Sequence, residues 1–378
     1  MEIKKNTSDY LIELLNSTVN ELKPKEKPED VNWEDIRNLA VYHKVDEMVF
    51  HAVSKLGKKP EGEEASRWFG QHEKSQVVNM IQVGEAEAII EEATSCGIDI
   101  LPLKGAVLRE LYPKPEFRQM GDLDYLMNPV SDMMERMGNV MHSLGYKDDE
   151  GVGLESSHDV YIKPPYMEVE IHRRLLPPTE ENHWHTDNIW ERLIKDNENK
   201  HLLHMTTEDF YLFHLLHFEK HYSMGGSGIR SILDQYFLMK KYSDSMDWDY
   251  VNQMLQKMNY VDFEKMCREL AQAWFGNGTM KEGLKEPAEY IINSGAFGTF
   301  EQYQKWSFEQ YRKQQGIKTK KGLFFRRMFM ERDRMENIYP SLKKHGWILP
   351  FCWLHRIIKS LLFRRDRVKM ELKSFKDK

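Results

Sequence analysis

The 378-residue sequence predicts a mostly helical α+β protein in which a small α/β core is flanked by N-terminal and C-terminal helical regions. Apolar residues recur three and four apart over the first ninety or so residues and again from about residue 207, which is the period of amphipathic helices. Between these stretches the pattern changes to short β-rich runs at 98–103, 123–127, 160–163 and 167–173. The corresponding regions are 1–95, 96–178 and 179–378, and the middle one has the size of a small domain.

In the first region, Leu11, Leu14, Leu15 and Val19 form an apolar stripe after Ser8. Pro24 and Pro28 then break the chain. A second helix is expected from Trp33 to near Gly57, and a third from about 63 to 94, stopped at Gly97. In the middle region a strand at 98–103 leads through Lys104-Gly105 into a brief helix at 106–111. The prolines of Tyr112-Pro113-Lys114-Pro115 force a loop. A strand at 123–127 is followed by a helix capped by Ser131 and stopped by Gly145. Pro164-Pro165 is the turn between the last two strands. Further helices are expected at 207–221, 229–242, 247–258, 262–274, 287–293 and 301–314.

Composition narrows the function classes. A formal charge of -6, with 40% hydrophobic and 30% charged residues, is ordinary for a soluble protein. No global basic footprint is present, so a small molecule or a protein is favoured over a long nucleic acid as partner. Cys96, Cys267 and Cys352 are far apart and in no metal spacing, which fits a reducing, cytoplasmic compartment. The first residues are polar and charged, unlike a signal peptide. No uncharged apolar run approaches the ~20 residues that span a bilayer.

The chemistry-bearing segment is Arg118-Gln119-Met120-Gly121-Asp122-Leu123-Asp124. Strand alternation points Asp122 and Asp124 the same way, ~7 Å apart. Two carboxylates so placed repel unless a cation sits between them, and hard ions such as Mg2+ or Mn2+ prefer oxygen ligands. The alternative is a pair of solvated aspartates on an exposed sheet face. Met167-Glu168-Val169-Glu170-Ile171-His172 also alternates, with Glu168, Glu170 and His172 on one face. If this strand lies beside the first, three or four carboxylates converge, each raising the others' pKa. Lys104 and Arg118 are candidates to neutralise phosphate oxygens; the alternatives are a solvated loop lysine for Lys104 and a salt bridge to one of the acids for Arg118. Gly105 permits close backbone approach, and the start of the following helix favours anions.

Other features have competing readings. His214, His217 and His221 share a helix face, and the last two have the i, i+4 spacing of zinc ligands, but no third ligand is apparent. His183-Trp184-His185 reads as a surface loop, and Gly225-Gly226-Ser227-Gly228 as a flexible connection between helices. Arg230 and Asp234 can pair along one helix, or Arg230 can overlie the active cleft if the helical region forms its far wall. The tail interleaves Lys318, Lys320, Lys321, Arg326 and Arg327 with Phe324, Phe325 and Phe329, followed by Trp347, Ile348, Phe351, Trp353, Ile357 and Leu361. A packed helical cap is ranked first there, then peripheral membrane contact, then nucleic-acid contact.

These residues resemble a known family. Leu103-Lys104-Gly105-Ala106, Leu111-Tyr112-Pro113, the segment 118–124, and Val169-Glu170-Ile171-His172 are similar to the uncharacterised bacterial nucleotidyltransferases of the polymerase-β-like superfamily. His158 falls where that family often carries a histidine before the hairpin. The stretch before Ile98, the segment 214–234 and the segment 339–356 are also similar. The resemblance implies a mixed-sheet nucleotidyltransferase core in which Asp122, Asp124 and Glu170 hold two magnesium ions. It implies transfer of a nucleotidyl group from a nucleoside triphosphate to a hydroxyl-type acceptor. Lys104, Gly105, Arg118 and Gly121 would line the nucleotide, with Glu168, His172, His158, His217, His221 and Arg230 as secondary candidates. Lys104-Gly105 departs from the superfamily's Gly-Ser phosphate loop. That departure keeps a non-catalytic nucleotide-binding regulator in view, beside a toxin–antitoxin-type protein modifier and a metal-dependent hydrolase.

Overall fold

The computed structural model describes residues 3–128, 132–149, 158–176 and 182–315, and beyond them 322, 325, 326, 328–332, 335, 336 and 339–363. Ser131, Lys318, Lys320, Lys321, Phe324 and Arg327 lie outside the described residues, as does the side chain of Leu361. The chain forms two compact units. The first comprises the described residues up to Gly298 other than 223–225; the second comprises 223–225 and those from Thr299 onward.

The first unit opens with α1 (Lys5–Val19), α2 (Trp33–Tyr42), α3 (Asp46–Ser54) and α4 (Gly62–Ser95). Ser8 lies inside α1, where its hydroxyl donates to the carbonyl of Lys5, rather than before it. The helix expected over 33–57 is two helices. Lys44 adopts φ 56, a left-handed conformation that ends one and redirects the chain into the next. Asn32 caps α2 by accepting from the amide of Glu34. Helix α4 ends one residue before Cys96, with Gly97 at φ 70 as the stop.

The sheet combines β1 (Ile100–Pro102), β2 (Leu123–Met127), β3 (Lys147–Asp148), β4 (His158–Lys163) and β5 (Met167–His172) in the order β1-β2-β5-β4-β3. Strand β2 runs parallel to β5, and the remaining pairings are antiparallel, so the sheet is mixed. The helix α5 (Gly105–Leu108) follows β1, and α6 (Met133–Ser143) follows β2. Strict alternation separates the two faces. Leu123, Tyr125, Met127, Met167, Val169 and Ile171 pack with Ile89 and Ala93 of α4 and Met137, Val140 and Met141 of α6. Asp124, Glu170 and His172 occupy the opposite face.

After β5 come α7 (His183–Asp187), the small hairpin β6 (Ile194–Lys195) and β7 (Leu203–His204), α8 (Thr207–Met224), α9 (Ile229–Tyr242), α10 (Trp248–Met258), α11 (Val261–Phe275) and α12 (Glu282–Ser294). The segment His183-Trp184-His185 is therefore helical, and His185 is buried with Nε2 3.3 Å from Asp209. Helix α10 starts one residue after Asp247, the first residue of the expected helix, which caps it by accepting from the amides of Asp249 and Tyr250. Helix α12 begins at Glu282, so Pro287 lies within it instead of opening it. The helices that flank the sheet on its N-terminal and C-terminal sides in sequence pack on one another. Leu11, Leu14 and Leu15 share one core with Ile229, Ile232, Leu233, Leu270 and Phe275.

Among the described residues of the second unit, α13 (Phe300–Gln315) and a helix at Leu349–Phe363 are the longest elements. Met335, Leu342 and Cys352 are its buried core, with Ile348, Leu349 and Trp353 packed against them. Packing as a cap accounts for these residues but not for Trp347, Phe351, Leu354 and Ile358, which are exposed. No helix among the described residues is long and apolar enough to cross a membrane.

Candidate active site

The parallel pairing of β2 and β5 sets Asp124 directly beside Glu170. Asp122 precedes β2 on the same side, and one carboxylate oxygen from each of Asp122, Asp124 and Glu170 lies within 4.8 Å of the others. Three carboxylates this close form a hard, all-oxygen donor set of the kind divalent magnesium or manganese accepts. Glu168 shares the face by alternation but is exposed and not part of this group. Three carboxylates converge, not four.

The electrostatics show the group is short of positive charge. Burial, with the charges of Asp124 and Glu170, pushes the Asp122 carboxyl up to about 6 against the pull of Lys104. Burial also acts to raise Asp124, but hydrogen bonds from His172 (2.9 Å) and Lys104 (2.8 Å) outweigh it and hold Asp124 well below the usual range. Both bonds fall on Oδ1. His172 is buried, yet its contacts to Asp124 and Glu170 raise it above an ordinary histidine. The hydrogen bond from His172 likewise lowers Glu170. A divalent cation would relieve the remaining repulsion, so the residues present fit such an ion.

Lys104 sits at the strand-to-helix turn with φ 42, an unfavourable conformation for a residue with a side chain. Its ammonium is committed to Asp124. The close approach that Gly105 permits is to protein: a Cβ there would lie 2.9 Å from Nη1 of Arg118 and 3.0 Å from Sδ of Met120. Helix α5 is a single turn, so its dipole adds little for an anion.

Arg118 lines the cleft but is already paired within the protein. Its guanidinium is buried and holds Asp234 through two bonds of 2.7 and 2.9 Å, while Tyr112 donates to the same carboxylate at 2.7 Å. Breaking such a pair leaves a buried uncompensated charge, so Arg118 fastens the 112–121 loop to α9. Asp234 is thereby occupied, and Arg230 does not pair with it along the helix. Instead Arg230 Nη1 donates to the carbonyl of Gln119 at 2.7 Å, and its guanidinium lies 5.8 Å from the ring of Phe297.

A cleft of about 380 Å³ separates the acidic face from the helices. Asp122, Asp124, Glu170, His158 and His172 line the sheet side, and Lys104, Gly105, Arg118 and Gly121 one end. His214, His217, Lys220, His221, Arg230 and Asp234, from α8 and α9, line the far side. Burial pushes His214 down to about 4 and His217 well below its ordinary value. The Nε2 atoms of His217 and His221 lie 3.0 Å apart. Among the described residues no third His, Cys, Asp or Glu joins this pair in a metal-sized group. The buried Nε2 of His214 has no hydrogen-bond partner, which folded proteins rarely leave unexplained.

Two lining features escaped the sequence reading. Phe297 stands exposed at the cleft between Gly295 (φ 65) and Gly298 (φ 72), with its ring 3.6 Å from where a Cβ on Gly121 would lie. The flanking glycines and a solvent-facing aromatic are the signal that marks it. The segment 226–228 is not a loose connection. Ser227 is buried, and Gly228 is backed so closely by Gly295 and Ala296 that a Cβ would come within 2.7 Å. Ser227 and Ser231 thus present adjacent hydroxyls, 2.7 Å apart, to the cleft.

With the geometry in place, comparison with protein families identifies the class. A model of uncharacterised nucleotidyltransferases matches residues 29–276. The chain belongs to that family, and the match spans the whole sheet, the acidic triad and helices α8 and α9. The similar-looking segment 339–356 falls outside it. No curated protein and no solved structure matches the chain.

Proposed function

We propose that the chain transfers a nucleoside monophosphate from a nucleoside triphosphate to a hydroxyl-type acceptor, with Asp122, Asp124 and Glu170 holding magnesium or manganese. The observation that carries this reading is the convergence of those three carboxylates across the parallel β2–β5 pair, inside a family of nucleotidyltransferases. Membership of the polymerase-β-like superfamily belongs to the same proposal and rests on the Lys104-Gly105, Gly121-Asp122-x-Asp124 and Glu170-x-His172 spacing.

The divalent ions would supply charge stabilisation for both the attacking and the leaving oxygen of an in-line displacement. The chain supplies orientation. The acceptor oxygen bonds to the α-phosphorus as the bond to the bridging β-oxygen breaks, and pyrophosphate leaves. Glu170 takes the acceptor proton. Lys104, freed from Asp124 when a cation replaces it, reaches phosphate oxygens. Arg230 and Lys220 add positive charge across the cleft, and Phe297 offers an exposed face on which a nucleobase stacks. His217 and His221, held neutral, donate and accept hydrogen bonds without adding charge.

Incubation of the chain with α-labelled triphosphates, magnesium or manganese and candidate acceptors tests this. Labelled acceptor and pyrophosphate are expected, and both should vanish in Asp122→Ala. Free monophosphate in place of labelled acceptor would make the protein a hydrolase, and undiminished pyrophosphate from the folded variant would end the carboxylate scheme. The non-catalytic regulator keeps one supporting observation, since Lys104 is bound to Asp124 and no Gly-Ser phosphate loop is present. Triphosphate binding with no product from any acceptor would favour it.

A further inference from the structure

Glu170 takes part in a second convergence of donors. His158 opens β4 and His172 closes β5, and the two are register partners across the antiparallel pair. Partner positions place side chains on one face, and Glu170, two residues before His172, shares that face. Glu170 Oε2 lies 3.1 Å from His172 Nε2 and 3.8 Å from His158 Nε2. One donor atom from each of the three lies within 4.8 Å of the others.

We propose that His158, Glu170 and His172 form a site for a borderline divalent transition metal of the zinc class, joined through Glu170 to the all-oxygen triad. Two imidazoles and one carboxylate are the donors of three-ligand zinc sites that keep a fourth position open. With bonds of ~2.0–2.2 Å, tetrahedral ligands sit roughly 3.4 Å apart, and the observed 3.1 and 3.8 Å bracket that spacing. Magnesium is not selected by imidazole nitrogen, whereas zinc and its neighbours are. The two sites therefore differ in the ion they take. His158 is partly exposed, at 27%, and gives the ion an entry from solvent. When His172 Nε2 turns to the metal it gives up its hydrogen bond to Asp124, which is not left unpaired: Lys104 holds it at 2.8 Å when the oxygen triad is empty, and a cation in that triad would hold it otherwise. The register of β4 on β5 fixes these three residues without reference to any reaction, and Glu170 is the residue shared with the transfer proposed above.

The test uses the full chain stripped with chelator and then held in excess magnesium, so that the oxygen triad is saturated. Zinc is titrated by calorimetry, cobalt serves as a visible spectroscopic probe, and the zinc X-ray absorption edge reports the ligands. One tight zinc per chain is expected, with a shell containing two imidazoles. His158→Gln and His158→Ala should weaken it by more than the ~10–100-fold that loss of an outer-shell partner costs. His221→Gln, which alters the other histidine pair, should leave zinc affinity unchanged. No zinc site in the wild-type chain, a shell of oxygens alone, undiminished affinity in folded His158→Gln, or loss of zinc in His221→Gln would each overturn the proposal. The X-ray absorption result on the unmodified chain decides the matter if the His158 variants do not fold. Magnesium-dependent transfer can survive the failure of this site, so the two readings fall separately.

Discussion

On the sheet side of the cleft, Asp122, Asp124 and Glu170 meet Lys104, His158 and His172, and Asp122 is left with a raised pKa. Facing it, Arg118, Asp234 and Tyr112 close a buried network, and Arg230 donates to a backbone carbonyl. The first wall carries an excess of one charge that a ligand can complete. The second carries a closed network that holds the loop bearing the acids, although the buried Nε2 of His214 beside it lacks a partner. A functional face is marked by what it lacks, a supporting face by what it has satisfied.

That contrast breaks most sharply at Asp122. Asp122→Asn should lower transfer by about 10³-fold or more, the several kcal/mol that metal-assisted charge stabilisation supplies. Its metal-free melting temperature should stay level or rise, because a repelling charge is removed. Pyrophosphate release measured beside thermal denaturation gives both numbers, and a destabilised variant with intact activity would reverse the assignment of the two walls.

Asp234→Ala should do the opposite. It strands Arg118 in the interior and should cost about 3–5 kcal/mol of stability, read by denaturant unfolding. A cost below 1 kcal/mol would mean the network does not hold the loop.

Asp122 and His214, one on each wall, should also titrate in opposite directions. Asp122 has a folded pKa near 6 against 3.8 unfolded, so as pH falls from 7 towards 4 the native state takes a proton the unfolded state lacks, and stability rises. His214 has a folded pKa near 4 against 6.5 unfolded, so over 6.5 to 4 the unfolded state takes the proton and stability falls. Each effect is at most roughly 3 kcal/mol. Metal-free Asp122→Asn should therefore lose stability more steeply on acidification than the parent chain, and His214→Gln less steeply. Identical slopes in all three would remove the electrostatic distinction.

The smallest effect is expected at Phe297. Phe297→Ala should raise the KM for triphosphate about 5–10-fold, near the lower end of the ~1–3 kcal/mol that base stacking supplies, with kcat little changed. A fall in kcat alone would place the ring against the acceptor or the reacting groups instead.

Much of the sheet wall was legible before any coordinates. Met167–His172 alternates so strictly that its apolar and acidic faces follow from the order of residues, whereas Leu123–Met127 is buried throughout and carries Leu126 on the acidic side. The helical wall was legible only in part. His214, His217 and His221 were visible on one face of a helix, but burial makes them neutral, and burial is a property of what packs around them. Arg118 looked like a phosphate ligand because its neighbours in sequence are catalytic in appearance. Its partner, Asp234, is 116 residues away.

By itself the sequence determined the local periods, the stops at Gly97 and Gly145, the Pro164-Pro165 turn, and which side of each strand carries acid, because these depend on residues within a few positions of one another. Only the tertiary structure decided that β5 lies parallel to β2, that α8 and α9 close the cleft, that Phe297 stands at it, and that Asp234 captures Arg118. Those outcomes depend on which distant surfaces bury each other, and pairing across a hundred residues leaves no local pattern to read.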